Sequence, residues 1–229
     1  MKDISLIAFD ADDTLWECQT YFEAVEEEYC ELLKSYASAD EISKALFAVE
    51  TANMPLLGYG SKAFLLSLLE NAIEVSGGRL KADEVEKIIK LGKELLQLPG
   101  KPMDGVEETL KVLRERGEYH LVVFTKGELL DQENKFHRSG LKPYFDDIIV
   151  VSDKTEASYY QLCERFSTNV EQLLMVGNSF RSDIEPVLKL GGWAAHIPFH
   201  TTWQHEVVEE YEHPHLLKLE YFAQLNQVL

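Results

Sequence analysis

The feature that most limits what this chain can fold into is a set of short apolar runs separated by amphipathic stretches. Ile4 to Phe9, His120 to Thr125, Ile148 to Val151, Leu173 to Val176, Trp193 to Ile197 and Leu216 to Leu219 each read as a buried strand. Strands covered on both faces are apolar residue after residue rather than alternating. Helical periodicity fills the spaces after residue 99: a helix through Val106, Leu110 and Leu113 with Asp104 as its expected cap, then helices near 128–138 and 156–166, one through Ile184, Val187 and Leu188, and a short one from Tyr221. Strands alternating with helices predict an α/β fold built on a doubly wound parallel sheet. Right-handed crossovers then gather every strand's carboxyl end at one edge, where open α/β sheets place their chemistry.

The alternation is interrupted once. From about Gln19 to Leu98 the pattern is helical throughout. Tyr21, Phe22, Val25, Tyr29, Leu32, Leu33 and Tyr36 recur at helical spacing, with glutamates between them. Asp40 is the expected cap of a second helix through Ile42, Leu46, Phe47 and Val49. Ser61 opens a third that Gly77-Gly78 stops, and Asp83 to Leu98 forms a fourth. The division expected is a catalytic core of residues 1–16 and 99–229 carrying an inserted helical subdomain, 17–98. The loop expected at Met54 to Lys62, where two glycines flank Tyr59, is either a substrate-contacting loop or a plain helix connection.

The 229 residues suffice for a sizeable core, and the composition is that of an ordinary globular protein. No apolar run approaches the ~20 residues needed to span a bilayer, and Met1-Lys2-Asp3 leads directly into the first strand, so no signal peptide is expected. Cys18, Cys30 and Cys163 have no metal-like spacing and are expected as free thiols in a reducing cytoplasm. A formal net charge of −18 argues against nucleic-acid or anionic-membrane partners. It also repels anionic substrates, so a phosphate site here needs local compensation from a metal, a lysine or backbone N–H groups.

That requirement can be followed along the strand ends. The first strand breaks into Asp10-Ala11-Asp12-Asp13-Thr14, three carboxylates in four residues. Carboxylates this close resist ionising together unless a cation is near. A hard ion such as Mg²⁺, which takes one or two carboxylates plus substrate oxygens, is the simplest remedy. Thr125 ends the second strand, Lys154 follows the third, and Asn178 and Asp183 follow the fourth. Each has a bland reading alone: a strand-end hydroxyl, a solvated lysine, a helix cap. The fold brings all of them to one edge. His200, His205, His213 and His215 have irregular spacing and read as solvated or structural.

The order and types of these residues resemble the haloacid dehalogenase (HAD) superfamily of phosphohydrolases, over nearly the whole chain. Asp10-x-Asp12-x-Thr14 matches that family's first motif, Thr125 the second, Lys154 the third, and Gly177-Asn178-Ser179 through Asp183 the acidic fourth. The helical insert resembles the C1-type cap. The resemblance implies a Mg²⁺-dependent phosphatase acting on a small phosphorylated metabolite. In it Asp10 is the nucleophile, forming an aspartyl-phosphate, and Asp12 is the acid and then the base. Lys154 neutralises charge around Asp10, and Thr14, Thr125, Lys126 and Lys154 serve the substrate and its loop. Asp10, the Asp12 backbone carbonyl, Asp183 and Asn178 are the implied metal ligands. Two positions depart from the pattern: Asp13 stands where Gly is frequent, and Asn178 where Asp is common. Dehalogenases of the family lack an aspartate two residues after the nucleophile, so Asp12 favours phosphate-ester chemistry. A phosphomutase of the same family, or a non-catalytic member that binds a ligand or partner, are the alternatives.

Overall fold

The structure, a computed structural model, describes residues 3–229. It divides into two compact units, one comprising the described residues up to 19 together with 99–229 and the other 20–98.

The larger unit is built on six parallel strands: β1 (Leu6–Phe9), β2 (His120–Lys126), β3 (Asp147–Val151), β4 (Leu173–Gly177), β5 (Trp193–His196) and β6 (Leu216–Lys218), in the order β3-β2-β1-β4-β5-β6. The first strand in the chain is therefore central, with Phe9 opposite Val123 on one side and Val176 on the other. Successive side chains leave a strand on opposite faces. Ile7 and Phe9 join a core with Val106, Leu110, Leu121, Val123 and Phe145, while Leu6 and Ala8 join another with Val122, Phe124, Tyr159 and Met175. Burial on both faces is why β1 is apolar at every position. Helices α5 (Val106–Arg116), α6 (Leu129–Ser139), α7 (Glu156–Arg165), α8 (Glu185–Lys189) and α9 (Leu225–Val228) belong to the same unit. The N-cap of α5 is Gly105 in the left-handed conformation, not Asp104, which lies outside the cap position.

The second unit is helical, with α1 (Gln19–Leu33) entering it and α2 (Ala39–Leu57), α3 (Ser61–Val75) and α4 (Ala82–Leu95) completing it. Its interior is formed by Tyr29, Leu33, Ile42, Leu46, Phe64, Leu68, Ala72 and Ile88. The Tyr29 hydroxyl is satisfied by Asn71 Oδ1 at 2.6 Å and the Leu68 carbonyl at 2.9 Å. The cap of α2 is Ser38 rather than Asp40. Ser38 and Glu41 close a reciprocal capping box, and Asp40 is left within the first turn, where its charge still suits the helix dipole. The expected loop at 54–62 is shorter. The last turn of α2 runs through Pro55, and Gly58 with φ 71° turns the chain out, so only residues 58–60 connect α2 to α3. Among the described residues no helix is long and apolar enough to cross a membrane. The three cysteines are free and buried.

Candidate active site

The carboxyl edge of β3, β2, β1 and β4, adjacent in that order, assembles the strand-end residues. The Asp10 amide continues the ladder to the Val176 carbonyl at 2.9 Å, and the chain then folds back on itself. Leu15 N bonds the Ala11 carbonyl at 2.8 Å, Asp13 N bonds the Trp16 carbonyl at 2.7 Å, and Met103 N bonds the Leu15 carbonyl at 2.9 Å. The turn puts Asp13 at φ 62°, a left-handed conformation that aspartate accepts better than most residues. Its carboxylate is taken up by backbone amides. It accepts from Cys18 N at 2.8 Å and Gln19 N at 3.0 Å, capping the start of α1, and burial pushes its pKa up to about 7.

Asp10 lies among the first group of partners. Lys154 Nζ is 2.5 Å from Asp10 Oδ1 and 2.6 Å from Asp183 Oδ1, and only 1% of the Lys154 side chain is exposed. Thr14 Oγ1 lies 3.1 Å from both Asp10 Oδ2 and Asn178 Oδ1, and accepts from Asn178 N at 3.0 Å, tying the β1 and β4 loops together. Asp183 sits on a single wide helical turn, Phe180–Ile184, opened by Ser179. Its Oδ2 accepts from Ser179 N at 3.0 Å. Gly177 is required beneath it, since a Cβ there would stand 2.1 Å from Asp183 Oδ2. One buried lysine thus serves two buried carboxylates. Burial and the facing Asp183 raise the Asp10 pKa to about 7 despite Lys154, and burial raises that of Asp183 as well. Burial alone would lower Lys154, but the two carboxylates outweigh it and hold it protonated.

Asp12 lies in a second group. Lys135 Nζ is 2.8 Å from each of its oxygens, Trp16 Nε1 donates to Oδ1 at 2.8 Å, and Gln132 Nε2 donates to Oδ2 at 2.8 Å. Burial would raise the Asp12 pKa, but Lys135 and the two neutral donors outweigh it and hold the carboxyl below its usual range. Thr125 is buried at the end of β2 and donates to the Lys126 carbonyl at 3.2 Å. Lys126 is engaged by Glu206 Oε1 at 2.5 Å and Ser182 Oγ at 2.7 Å. A substrate reaching Lys126 therefore competes with Glu206. Of the tail histidines, His215 stacks on Trp193 with ring centroids 4.2 Å apart, a structural role.

The site is one cation short around Asp10, and that is the observation against which a metal is tested. Asp10, Asp183, the Asn178 amide oxygen and the Asp12 carbonyl are hard oxygen donors, the class Mg²⁺ prefers, and two buried carboxylates sharing one lysine leave net negative charge for it to neutralise. Among the described residues no group of three or more His, Cys, Asp or Glu side chains is placed to hold a metal ion by itself. A hard ion that keeps several waters needs none. The donor set fits Mg²⁺.

Lys135, Gln132 and Glu206 were outside the motifs read from the sequence. Gln132 and Lys135 lie three residues apart on α6, beside the core-facing Phe136, and both are 3% exposed. Polar residues in phase with an apolar face are the signal that was there to find. Glu206 lies in a tail with no periodicity to mark it.

Comparison with known proteins places the chain in a family. The family model described as haloacid dehalogenase-like hydrolase matches residues 4–191. No curated protein matches the chain. Among solved structures, a haloacid dehalogenase-like family hydrolase from Xanthomonas campestris is 35% identical, with 95% of this chain and 87% of that one covered and a TM-score of 0.86. A 2-haloacid dehalogenase from Pseudomonas syringae pv. Tomato (18% identity, 98% and 97% covered, TM-score 0.65) and a HAD phosphatase from Thermococcus onnurineus (18%, 98% and 97%, TM-score 0.62) share the fold.

Proposed function

The chain belongs to the haloacid dehalogenase-like hydrolases, and we propose that within them it is a Mg²⁺-dependent phosphatase acting on a small phosphorylated metabolite. The observation that carries this reading is the Asp12 carboxylate, held beside the nucleophile's turn by Lys135, Gln132 and Trp16. Displacing halide from carbon releases an anion that needs no proton. Displacing an alcohol from phosphorus releases an alkoxide that does, and a carboxyl two residues from the nucleophile can supply it.

In this reading an Asp10 carboxylate oxygen attacks phosphorus as the phosphorus–ester oxygen bond breaks. The leaving oxygen takes the electron pair and a proton from Asp12. A water then attacks the aspartyl-phosphate, gives its proton to the Asp12 carboxylate, and releases phosphate with Asp10 restored. Asp12 is held ionised in the free site, the form needed for the second half. In the first half the dianionic phosphoryl group favours its protonated form against the pull of Lys135. Lys154 and Thr125 bind phosphoryl oxygens, and Thr14 keeps the Asp10 loop and the Asn178 loop in register. Asp10, Asp183, Asn178 and the Asp12 carbonyl would hold Mg²⁺, which when bound would supply neutralisation of phosphoryl charge. The helical insertion is read as a C1-type cap. The protein is read as cytoplasmic.

The test is phosphate release from a panel of phosphorylated metabolites with and without Mg²⁺, wild type beside Asp10→Asn. Metal-dependent release lost in Asp10→Asn is expected. Halide release from a 2-haloacid without Mg²⁺ would sink the reading, and isomerisation of a sugar phosphate without phosphate release would replace it with a mutase.

A further inference from the structure

We propose that Lys135 is a positioning residue that holds the Asp12 carboxylate in one orientation for proton transfer; the proposal rests on the role given to Asp12 above. The hold is directional. Lys135 Nζ is equidistant, at 2.8 Å, from both carboxylate oxygens, and each oxygen also receives one fixed donor, Trp16 Nε1 on Oδ1 and Gln132 Nε2 on Oδ2. Turning the carboxylate about its Cβ–Cγ bond would break several of these contacts at once. The Asp12 side chain is 27% exposed against 3% for Lys135, so the carboxylate is open to solvent while the lysine that holds it is buried.

The holding groups are themselves fixed. Gln132 Nε2 also donates to the Lys126 carbonyl at 2.8 Å, and Gly127, at φ 138°, lets the amide come close, since a Cβ there would stand 2.9 Å from Nε2. The amide is oriented by its neighbours, because its nitrogen meets a carboxylate and a carbonyl and only a donor satisfies both. The Gln132 Oε1 atom is left buried without a hydrogen bond, a cost accepted for that orientation. Helix α6 thereby delivers two side chains, one turn apart, onto one carboxylate.

A mere brace between α6 and the Asp12 turn would look similar, so the test must separate the two. An alkyl phosphate needs its leaving oxygen protonated, and p-nitrophenyl phosphate barely does. With Mg²⁺ present, Lys135→Met is expected to lose about 100-fold in kcat on the alkyl ester and no more than about 5-fold on the aryl ester, with KM little changed. In an Asp12→Asn background the same change should cost nothing further on either ester. Gln132→Met, which leaves the charges paired, should show the same ester preference at smaller size and covers the case in which Lys135→Met folds poorly. Equal losses on the two esters, or additive losses in the double variant, would assign Lys135 to scaffolding and overturn the proposal. A second readout needs neither metal nor turnover. The ¹⁵N-indole resonance of Trp16, assigned with Trp16→Phe, reports its bond to Asp12 and should move the same way in Lys135→Met as in Asp12→Asn. An unmoved resonance also overturns the proposal. Should wild type release phosphate from neither ester while the resonance moves, the phosphatase reading fails and the hold of Lys135 on Asp12 stands.

Discussion

The two groups of side chains around Asp10 and Asp12 begin two residues apart and are built on different charge ratios. Around Asp10 a single lysine, Lys154, serves two carboxylates, and the Asp10 pKa rises to about 7. Around Asp12 one lysine, Lys135, serves one carboxylate with two neutral donors added, and the pKa falls. The first group is underfilled and needs a further cation. The second is complete. The difference is consistent with the proposed division of work, in which the first group takes metal and phosphoryl transfer and the second holds a proton carrier in place.

Removing Lys154 breaks the contrast most severely. Lys154→Met leaves two buried carboxylates with no counter-ion, and stability should fall by about 3–5 kcal/mol, the usual cost of orphaning a buried charge. Denaturant unfolding without metal measures it, and saturating Mg²⁺ should return part of the loss. Asp10→Asn should act oppositely. It leaves one lysine for one carboxylate, so the metal-free protein is expected to be more stable than wild type while phosphate release is lost. A destabilised Asp10→Asn would contradict the charge deficit.

Gly177→Ala tests the same group through shape. Its Cβ would lie 2.1 Å from Asp183 Oδ2, so Asp183 must move. A loss of about 2–3 kcal/mol is expected, typical of overpacking a closed site, with weaker Mg²⁺ binding by titration calorimetry. The Asp12 group should be untouched, and the Trp16 indole resonance should not shift.

The fold was legible because burial on both faces leaves an unmistakable mark: β1 is apolar at Leu6, Ile7, Ala8 and Phe9 since two cores receive alternate residues. Asp10, Asp12, Thr125, Lys154 and Asp183 were legible as strand-end residues, because the topology decides where such ends meet. Their partners were not. Lys135 reaches Asp12 across 123 positions in sequence and Glu206 reaches Lys126 across 80, and no local pattern encodes pairings between distant segments. The helix caps failed for a related reason. Asp40 and Asp104 are good capping residues, but Ser38 with Glu41 offers two reciprocal bonds, and the turn before α5 takes a left-handed residue that glycine adopts freely.

A pH series sharpens the contrast. Asp10 folds with its pKa raised from 3.8 to about 7, so between those pH values the folded state binds more protons than the unfolded one. Metal-free stability from this group is full below about pH 4 and is lost as pH rises through 7. Asp12, with a lowered pKa, acts the other way: its contribution is present above about pH 4 and is lost on acidification. Chemical denaturation from pH 4 to 8 should show wild type losing stability toward neutrality by about 1–3 kcal/mol. The fall should be smaller with Mg²⁺ and smaller in Asp10→Asn.

Asp13 supplies the smallest effect and a control for that series, since it has neither a shared lysine nor one of its own. Its carboxylate rests on the amides of Cys18 and Gln19, and burial raises its pKa to about 7. Asp13→Asn keeps an acceptor for both amides and tolerates the left-handed backbone, while removing the cost of ionising a buried carboxyl. The variant should match wild type near pH 5 and exceed it by about 1 kcal/mol near pH 8. Asp13→Gly trades the same two bonds for relief of the left-handed strain, each worth about 1 kcal/mol, and should come out near neutral. If Asp13→Asn instead lost activity in proportion to Asp12→Asn, the third carboxylate would belong to the chemistry, and the division between an underfilled and a completed group would have to be redrawn to include it.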